Sequence, residues 1–188
     1  MRTGDNKRFL RFWYEISLLK FSDNCESYFD TIETNIKWIP YNKGGKFRKW
    51  YGNNDYVVNW ENNGFEIKEN TKKVYPQLGD NLGWKISNEK YYFKEGITWT
   101  GVTSGKFSGR YYSNGFIFDS GANGLFVNEN KNFCYMLGLL NSNLTDFILN
   151  ILNPTINCGA GTIRNVPILF DDNEQIGIYR LKFFKSQK

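Results

Sequence analysis

Short runs in which apolar and polar residues alternate, punctuated by Gly- and Asn-rich turns, make up most of this chain; near residue 128 the period changes. Residues 7–19 (KRFLRFWYEISLL) are apolar but only loosely periodic. Asp5 and Asn6 are placed to cap a helix there, whereas the content of Phe9, Phe12, Trp13, Tyr14 and Ile16 favours a strand. The strand is the expectation. Residues 22–33 are polar and acidic and read as a loop or short helix. Strands are predicted at 36–41, 56–60, 90–100 with a break at Gly96, 106–112 and 115–120. Ser113-Asn114-Gly115 predicts a hairpin between the last two, because Asn-Gly readily takes positive φ. Residues 61–85 carry Pro76 and scattered glycines, and read as an excursion with one short helix around 64–73.

From Asn132 the apolar positions Phe133, Met136, Leu137, Leu140, Leu144, Phe147, Ile148 and Ile151 recur at helical spacing. Asn141-Ser142 interrupts them, which predicts two helices with a cap at the joint. Asn153-Pro154 ends the second, since proline cannot continue it. A glycine-bearing link (158–161), a strand around 163–169, an acidic turn and a strand at 176–184 complete the expectation. The predicted class is α+β: a twisted, mostly antiparallel β-sheet domain over 1–128, with a helical pair plus closing strands over 129–188 packed on it.

Composition sharpens this picture. The 188 residues are 40% apolar and 18% aromatic, which favours strands. The net charge is +5, and residues 1–118 hold 18 Lys/Arg against 13 Asp/Glu, while 119–188 hold 6 of each. The excess therefore lies in the first two thirds, where it raises encounter rates with polyanions. Cys25, Cys134 and Cys158 form no CxxC pair and no disulfide framework, which points to reduced thiols and a cytoplasmic setting. Histidine is absent. That removes Ser-His and Cys-His nucleophile pairs and the HExxH metal motif. No apolar run reaches the roughly 18–20 residues that span a bilayer, so no membrane partner is expected.

Candidate chemistry is thin. Gly121-Ala122-Asn123-Gly124 and Gly159-Ala160-Gly161 read as turns, because neither joins a strand to a helix as a phosphate-cradling loop does. Asp171-Asp172-Asn173-Glu174 lacks the ligand spacing of a calcium loop. No catalytic or metal-binding set emerges. Binding features are better represented. NKGGKFRKWYG (42–52) lies in a stretch without any acid between Glu33 and Asp55. Lys43, Lys46, Arg48 and Lys49 are suited to phosphates, Trp50 and Tyr51 to stacking, Asn53 and Asn54 to base edges. The plain alternative is a hairpin with its aromatics in the core and its lysines in water. In TSGKFSGRYY (103–112), Ser104, Lys106, Ser108 and Arg110 form a second polar-basic set. On a strand Lys106 and Arg110 share one face, with Arg110 offered to a guanine edge; a half-exposed strand is again the plain alternative.

Several blocks carry a resemblance. TGDNKRFLRFWYEI (3–16) resembles the TGDN-x-RFLR-x-W segment of PglX-type adenine-specific DNA methyltransferases of BREX phage-defence systems. The likeness continues in order through KWIPYNKGGKFRKWYGNNDYVVNWENNG (37–64), YYFKEGITWT (91–100), SGKFSGRYYSNGFIFDSGANGLF (104–126) and LGLLNSNLTDFILNILNPT (137–155). In that family the matching part follows the methyltransferase domain and is similar to a target recognition domain of restriction-modification enzymes. The LLNS block resembles the segment that packs against such a domain in type I specificity subunits.

The resemblance implies a module that reads double-stranded DNA, partnered by a methyltransferase domain missing from this chain and by other defence-system proteins. S-adenosylmethionine is then expected in the full-length relative, and no cofactor in this chain. An Asp/Asn-Pro-Pro-Tyr/Phe motif is required of the catalytic part; Pro40, Pro76, Pro154 and Pro167 form no such pair. Competing expectations are a module that docks defence proteins or a DNA-mimicking phage protein, and a carbohydrate-binding module, which requires exposed rings at Trp50, Trp60 and Trp99.

Overall fold

A computed structural model describes residues 1–102, 105–127, 132–153 and 155–168. The chain is α+β, and its strands, most of them paired antiparallel, form two four-stranded sheets that each carry one parallel pair. The first has the order β1 (Leu10–Phe12), β4 (Tyr56–Asn59), β2 (Trp38–Asn42), β7 (Ile117–Phe118). Its β1–β4 and β2–β4 pairs are antiparallel, with Ile39 opposite Val58, and β2–β7 is parallel. Pro40 sits inside β2, a position that usually breaks a ladder because it donates no hydrogen bond. Here β7 pairs only with Tyr41 and Asn42, so the missing N–H falls where β2 has no neighbour on that side.

The second sheet has the order β3 (Trp50–Tyr51), β6 (Arg110–Tyr112), β5 (Gly96–Thr100), β8 (Ala122–Leu125). β3–β6 is parallel, and β5 is antiparallel to both β6 and β8. One core gathers on the first sheet around Phe9, Ile39, Tyr41, Trp60 and Tyr92. A second lies between the other sheet and the helices α3 (Phe133–Leu140), α4 (Asn143–Leu152) and α5 (Ala160–Arg164), and is centred on Trp99, Met136 and Leu140.

The N-terminal expectation is corrected. Both signals there are used in turn: Asp5 accepts a bond from the Arg8 amide and caps the short helix α1 (Asn6–Phe9), after which the chain extends only for β1. The predicted hairpin at 113–115 does not form. Gly115 has φ +86°, and a Cβ on it would lie 2.1 Å from the Asp23 carbonyl. The strands on either side then leave for different sheets, β6 to the second and β7 to the first. The turn chemistry was right; the pairing was not.

The excursion holds helix α2 (Glu61–Val74), whose Asn62, Asn63 and Gly64 are left-handed, so regular helix starts at Phe65. Ser142 caps α4 through the Thr145 amide, as its place at the joint predicts. Leu144, Phe147 and Ile151, placed by their spacing among core positions, are exposed instead, and α4 buries Thr145 and Leu149. The strand expected around 163–169 is helix α5 through Arg164. The strand at 176–184, the acidic turn and Pro154 lie outside the described residues.

Candidate nucleic-acid interface

The two cationic segments meet. β3 and β6 run side by side with Trp50 opposite Arg110 and Tyr51 opposite Tyr111, and the Trp50 amide donates to the Gly109 carbonyl at 2.9 Å. The first segment is not a hairpin with buried aromatics: β2 and β3 belong to different sheets. Gly44 and Gly45 (φ +83° and +135°) redirect the chain between them. Thr100 Oγ1 donates to the Gly45 carbonyl at 2.9 Å and Asn53 Nδ2 to the Lys46 carbonyl at 2.9 Å, which fixes the loop at both ends. Trp50 adopts φ +76°, a conformation that costs a non-glycine residue about 1–3 kcal/mol and is held only where its surroundings enforce it.

Arg110 is the hub of this junction, and its expected role changes. It is 0% exposed, so it does not present itself to a guanine edge. Its Nη1 donates to the carbonyls of Arg48 (3.4 Å) and Ser108 (3.3 Å) and to Ser108 Oγ (3.4 Å), and its Nη2 to Thr100 Oγ1 (3.3 Å). These bonds are at the long end of the useful range. Among the described residues Nε has no partner and no acid pairs with the guanidinium. Burial, with a smaller contribution from nearby Arg48, pushes its pKa down to about 10. Arg110 thus joins carbonyls of both segments. The strand expected at 106–112 begins only at Arg110, so Lys106 lies on the preceding loop and does not share a strand face with it.

The corner between α3 and α4 secures the second segment from below. Asn141 Oδ1 accepts from the Gly109 amide, and its Nδ2 donates to the Gly109 carbonyl. Asp146 Oδ1 accepts from the Phe107 amide at 3.1 Å. Lys49 reaches the same corner, donating to the Asn141 carbonyl at 2.8 Å and lying 3.8 Å from Asp146 Oδ2. It is an anchor.

The remaining expected residues divide by access. Lys46, Arg48 and Lys106 are exposed, and none has an acid within ion-pair distance among the described residues. Trp50 and Tyr51 are 45% and 57% exposed. Lys43 is half-buried with its Nζ 4.7 Å from the centre of the Tyr56 ring. Asn53 and Ser108 are buried, and Asn54 is half-buried beside Tyr51 in a cleft. Ser104 lies outside the described residues. Trp60 and Trp99 are buried, which removes two of the three rings a carbohydrate platform needs.

Sequence reasoning passed over three residues. Phe47, 58% exposed between Lys46 and Arg48, was legible as a ring flanked by cations. Asn141 and Asp146 carried only the signal of the helical block, which the resemblance already placed against the sheet. Among the described residues no cluster of Cys, Asp and Glu could hold a metal, and no helix is long and apolar enough to cross a membrane.

Over 176 residues, 94% of its length, the chain is 39% identical to the adenine-specific methyltransferase PglX of Lacticaseibacillus casei (strain Zhang). Over 164 residues, 86% of its length, it is 34% identical to the adenine-specific methyltransferase BrxX of Escherichia coli O9:H4 (strain HS). It spans 14% and 12% of those two relatives. No family model matches it.

Proposed function

We propose that this chain, which corresponds to one region of a PglX-type adenine-specific methyltransferase, is the part that reads the DNA sequence to be methylated. The observation that carries the reading is the meeting of the two cationic segments at β3–β6: Lys46 and Arg48 precede β3, Lys106 precedes β6, none of the three has an acid within ion-pair distance among the described residues, and Phe47 and Trp50 are exposed in the first segment. Exposed cations on the two paired segments suit phosphates, and exposed rings add flat contact area. Methyl transfer, S-adenosylmethionine and the flipped adenine belong to the larger part of the relatives that this chain does not span. The setting is phage defence, and the partner is duplex DNA.

The test is fluorescence-anisotropy titration of the isolated chain with duplex DNA at two salt concentrations. Affinity should fall steeply with salt, and each of Lys46→Ala, Arg48→Ala and Lys106→Ala should reduce the slope of log K against log salt by about 1. Absence of binding at low salt, or slopes unchanged in all three variants, would overturn the reading.

A further inference from the structure

A surface of opposite character lies next to the cationic junction. Trp13, Leu18, Pro40, Tyr51 and Tyr56 line a cleft of about 310 Å³ whose polar groups include Asp23 and Asn54. A second cleft of about 270 Å³ contains Asp23, Glu26 and Glu95. Asp23 and Ser113 line both, so the two adjoin: an aromatic trough with an acidic end. None of the three carboxylates has a cationic partner among the described residues, and Glu95 receives only a 3.4 Å bond from Tyr111. The rim is apolar as well. Trp13 and Leu18, which line the first cleft, are 53% and 68% exposed.

We propose that this trough docks a cationic, apolar-anchored segment of the larger polypeptide outside this chain, a deepening that rests on the reading above. Its carboxylates repel phosphates, so nucleic acid is the wrong occupant, although the rest of the chain is basic. Grouped apolar exposure of this kind marks a protein contact. The occupant's chemistry follows from the trough: an aliphatic or aromatic side chain between Trp13 and Tyr51, with a Lys or Arg beside it reaching Asp23 and Glu26. Its source follows from proportion. The chain is 14% and 12% of the relatives it matches, so most of such a protein lies outside the matched region.

The experiment replaces the matched 176 residues of the Lacticaseibacillus casei relative by this chain and compares amide hydrogen exchange in the chimera and the isolated chain. Exchange over residues 13–30 should slow about tenfold or more in the chimera. Asp23→Lys with Glu26→Lys should abolish the slowing, and so should Leu18→Ser, which keeps the charges. Circular dichroism of each variant shows that it remains folded.

Equal exchange in chimera and chain would overturn the proposal. So would slowing confined to the exposed Leu144, Phe147 and Ile151 of α4. Slowing already present in the isolated chain, together with a dimer in sedimentation, would assign the trough to a second copy and overturn it too. DNA titration of the isolated chain stands apart. DNA binding without protection sinks only the docking surface, and protection without DNA binding sinks only the recognition reading.

Discussion

Asn141 holds Gly109 by both of its backbone polar groups, accepting from the amide at 2.9 Å and donating to the carbonyl at 3.0 Å. Its Nδ2 also reaches the Leu137 carbonyl at 3.1 Å, so one side chain ties the end of α3 to the loop that precedes β6. All of these groups are buried, and a buried polar group left without a partner costs about 1–3 kcal/mol. Asn141→Ala should therefore destabilise the fold by about 2–4 kcal/mol in urea denaturation. Asn141→Asp should also destabilise, because a carboxylate can accept from the amide but cannot donate to the carbonyl. A loss below about 0.5 kcal/mol for the alanine variant would mean that the clamp is dispensable.

Arg110 invites a variant that separates stability from function. A buried cation without an acid is expensive, and replacing such a charge by an apolar residue of similar volume is often neutral or stabilising. Arg110→Met should thus change stability by no more than about 1 kcal/mol in either direction, since relief of burial offsets the lost bonds to the Ser108 and Arg48 carbonyls. DNA affinity should nevertheless fall severalfold, because those carbonyls fix the loop that carries Lys46 and Arg48. Unfolding of the methionine variant would show that the guanidinium is indispensable to the core. Unchanged affinity would show that the clamp does not order the interface.

Buried tyrosines contribute to the loss of stability at alkaline pH, alongside the Cys25 and Cys158 thiols that burial also raises. Burial raises Tyr41, Tyr92, Tyr111 and Tyr112, with nearby Asp119 adding to the effect at Tyr41, and Tyr111 is pushed up to about 12. Unfolded tyrosine titrates near 10. Above that pH the unfolded chain holds fewer protons at these four sites than the folded one, so their contribution to stability is fully present below about 10 and is lost as pH rises. Arg110 has the opposite sign: lowered to about 10, it favours the folded state as pH rises above that value. Four groups outweigh one. Tyrosinate absorbance should show these four ionising only together with loss of the circular dichroism signal. Separate titration of the four within an intact fold would contradict this.

Much of the architecture was legible because it depends on local rules. The Ser142 cap, the helical spacing of Phe133 through Leu140 and the strand cores at Ile39 and Val58 all follow from neighbouring residues. The failures are tertiary. Ser113-Asn114-Gly115 specifies a turn, yet which strands pair across it depends on Phe93, which bonds to Gly115 and Phe116 and draws the chain towards the first sheet. The fate of Arg110 was equally hidden. A basic residue on a strand reads as exposed, and only the parallel pairing with Trp50 and the bonds to Arg48, Ser108 and Thr100 hold the side chain inward. Lys46 and Arg48 were readable as free because nothing near them in sequence opposes their charge.

Gly115 gives the sharpest test of the divergent turn. Its φ of +86° suits glycine, and a Cβ would meet the Asp23 carbonyl at 2.1 Å, a distance no side-chain shift can relieve because the obstacle is backbone. Gly115→Ala should cost about 3 kcal/mol or more, beyond the roughly 1 kcal/mol typical of a left-handed alanine. Thermal denaturation of the variant checks it. A melting temperature within a few degrees of the parent would mean that the 22–24 segment yields freely.

Two neighbouring lysines should behave as opposites. Lys49 lies 22% exposed against Asp146, whose carboxylate is 11% exposed and whose Oδ2 has no hydrogen-bond partner, so the lysine supplies its compensating charge. Lys49→Met leaves that carboxylate uncompensated and the Asn141 carbonyl short of a donor; it should destabilise by about 1–3 kcal/mol. The salt slope of DNA binding should stay the same, because the ammonium is already engaged within the fold. Lys46 is exposed and has no acid within ion-pair distance among the described residues, so Lys46→Met should leave stability within about 0.5 kcal/mol and lower the slope by about 1. Urea denaturation and titrations at two salt concentrations on the same two proteins decide the matter. If Lys49→Met lowers the slope as much as Lys46→Met while keeping the parent's stability, Lys49 releases the helical corner and turns to phosphate, and its role as an anchor is wrong.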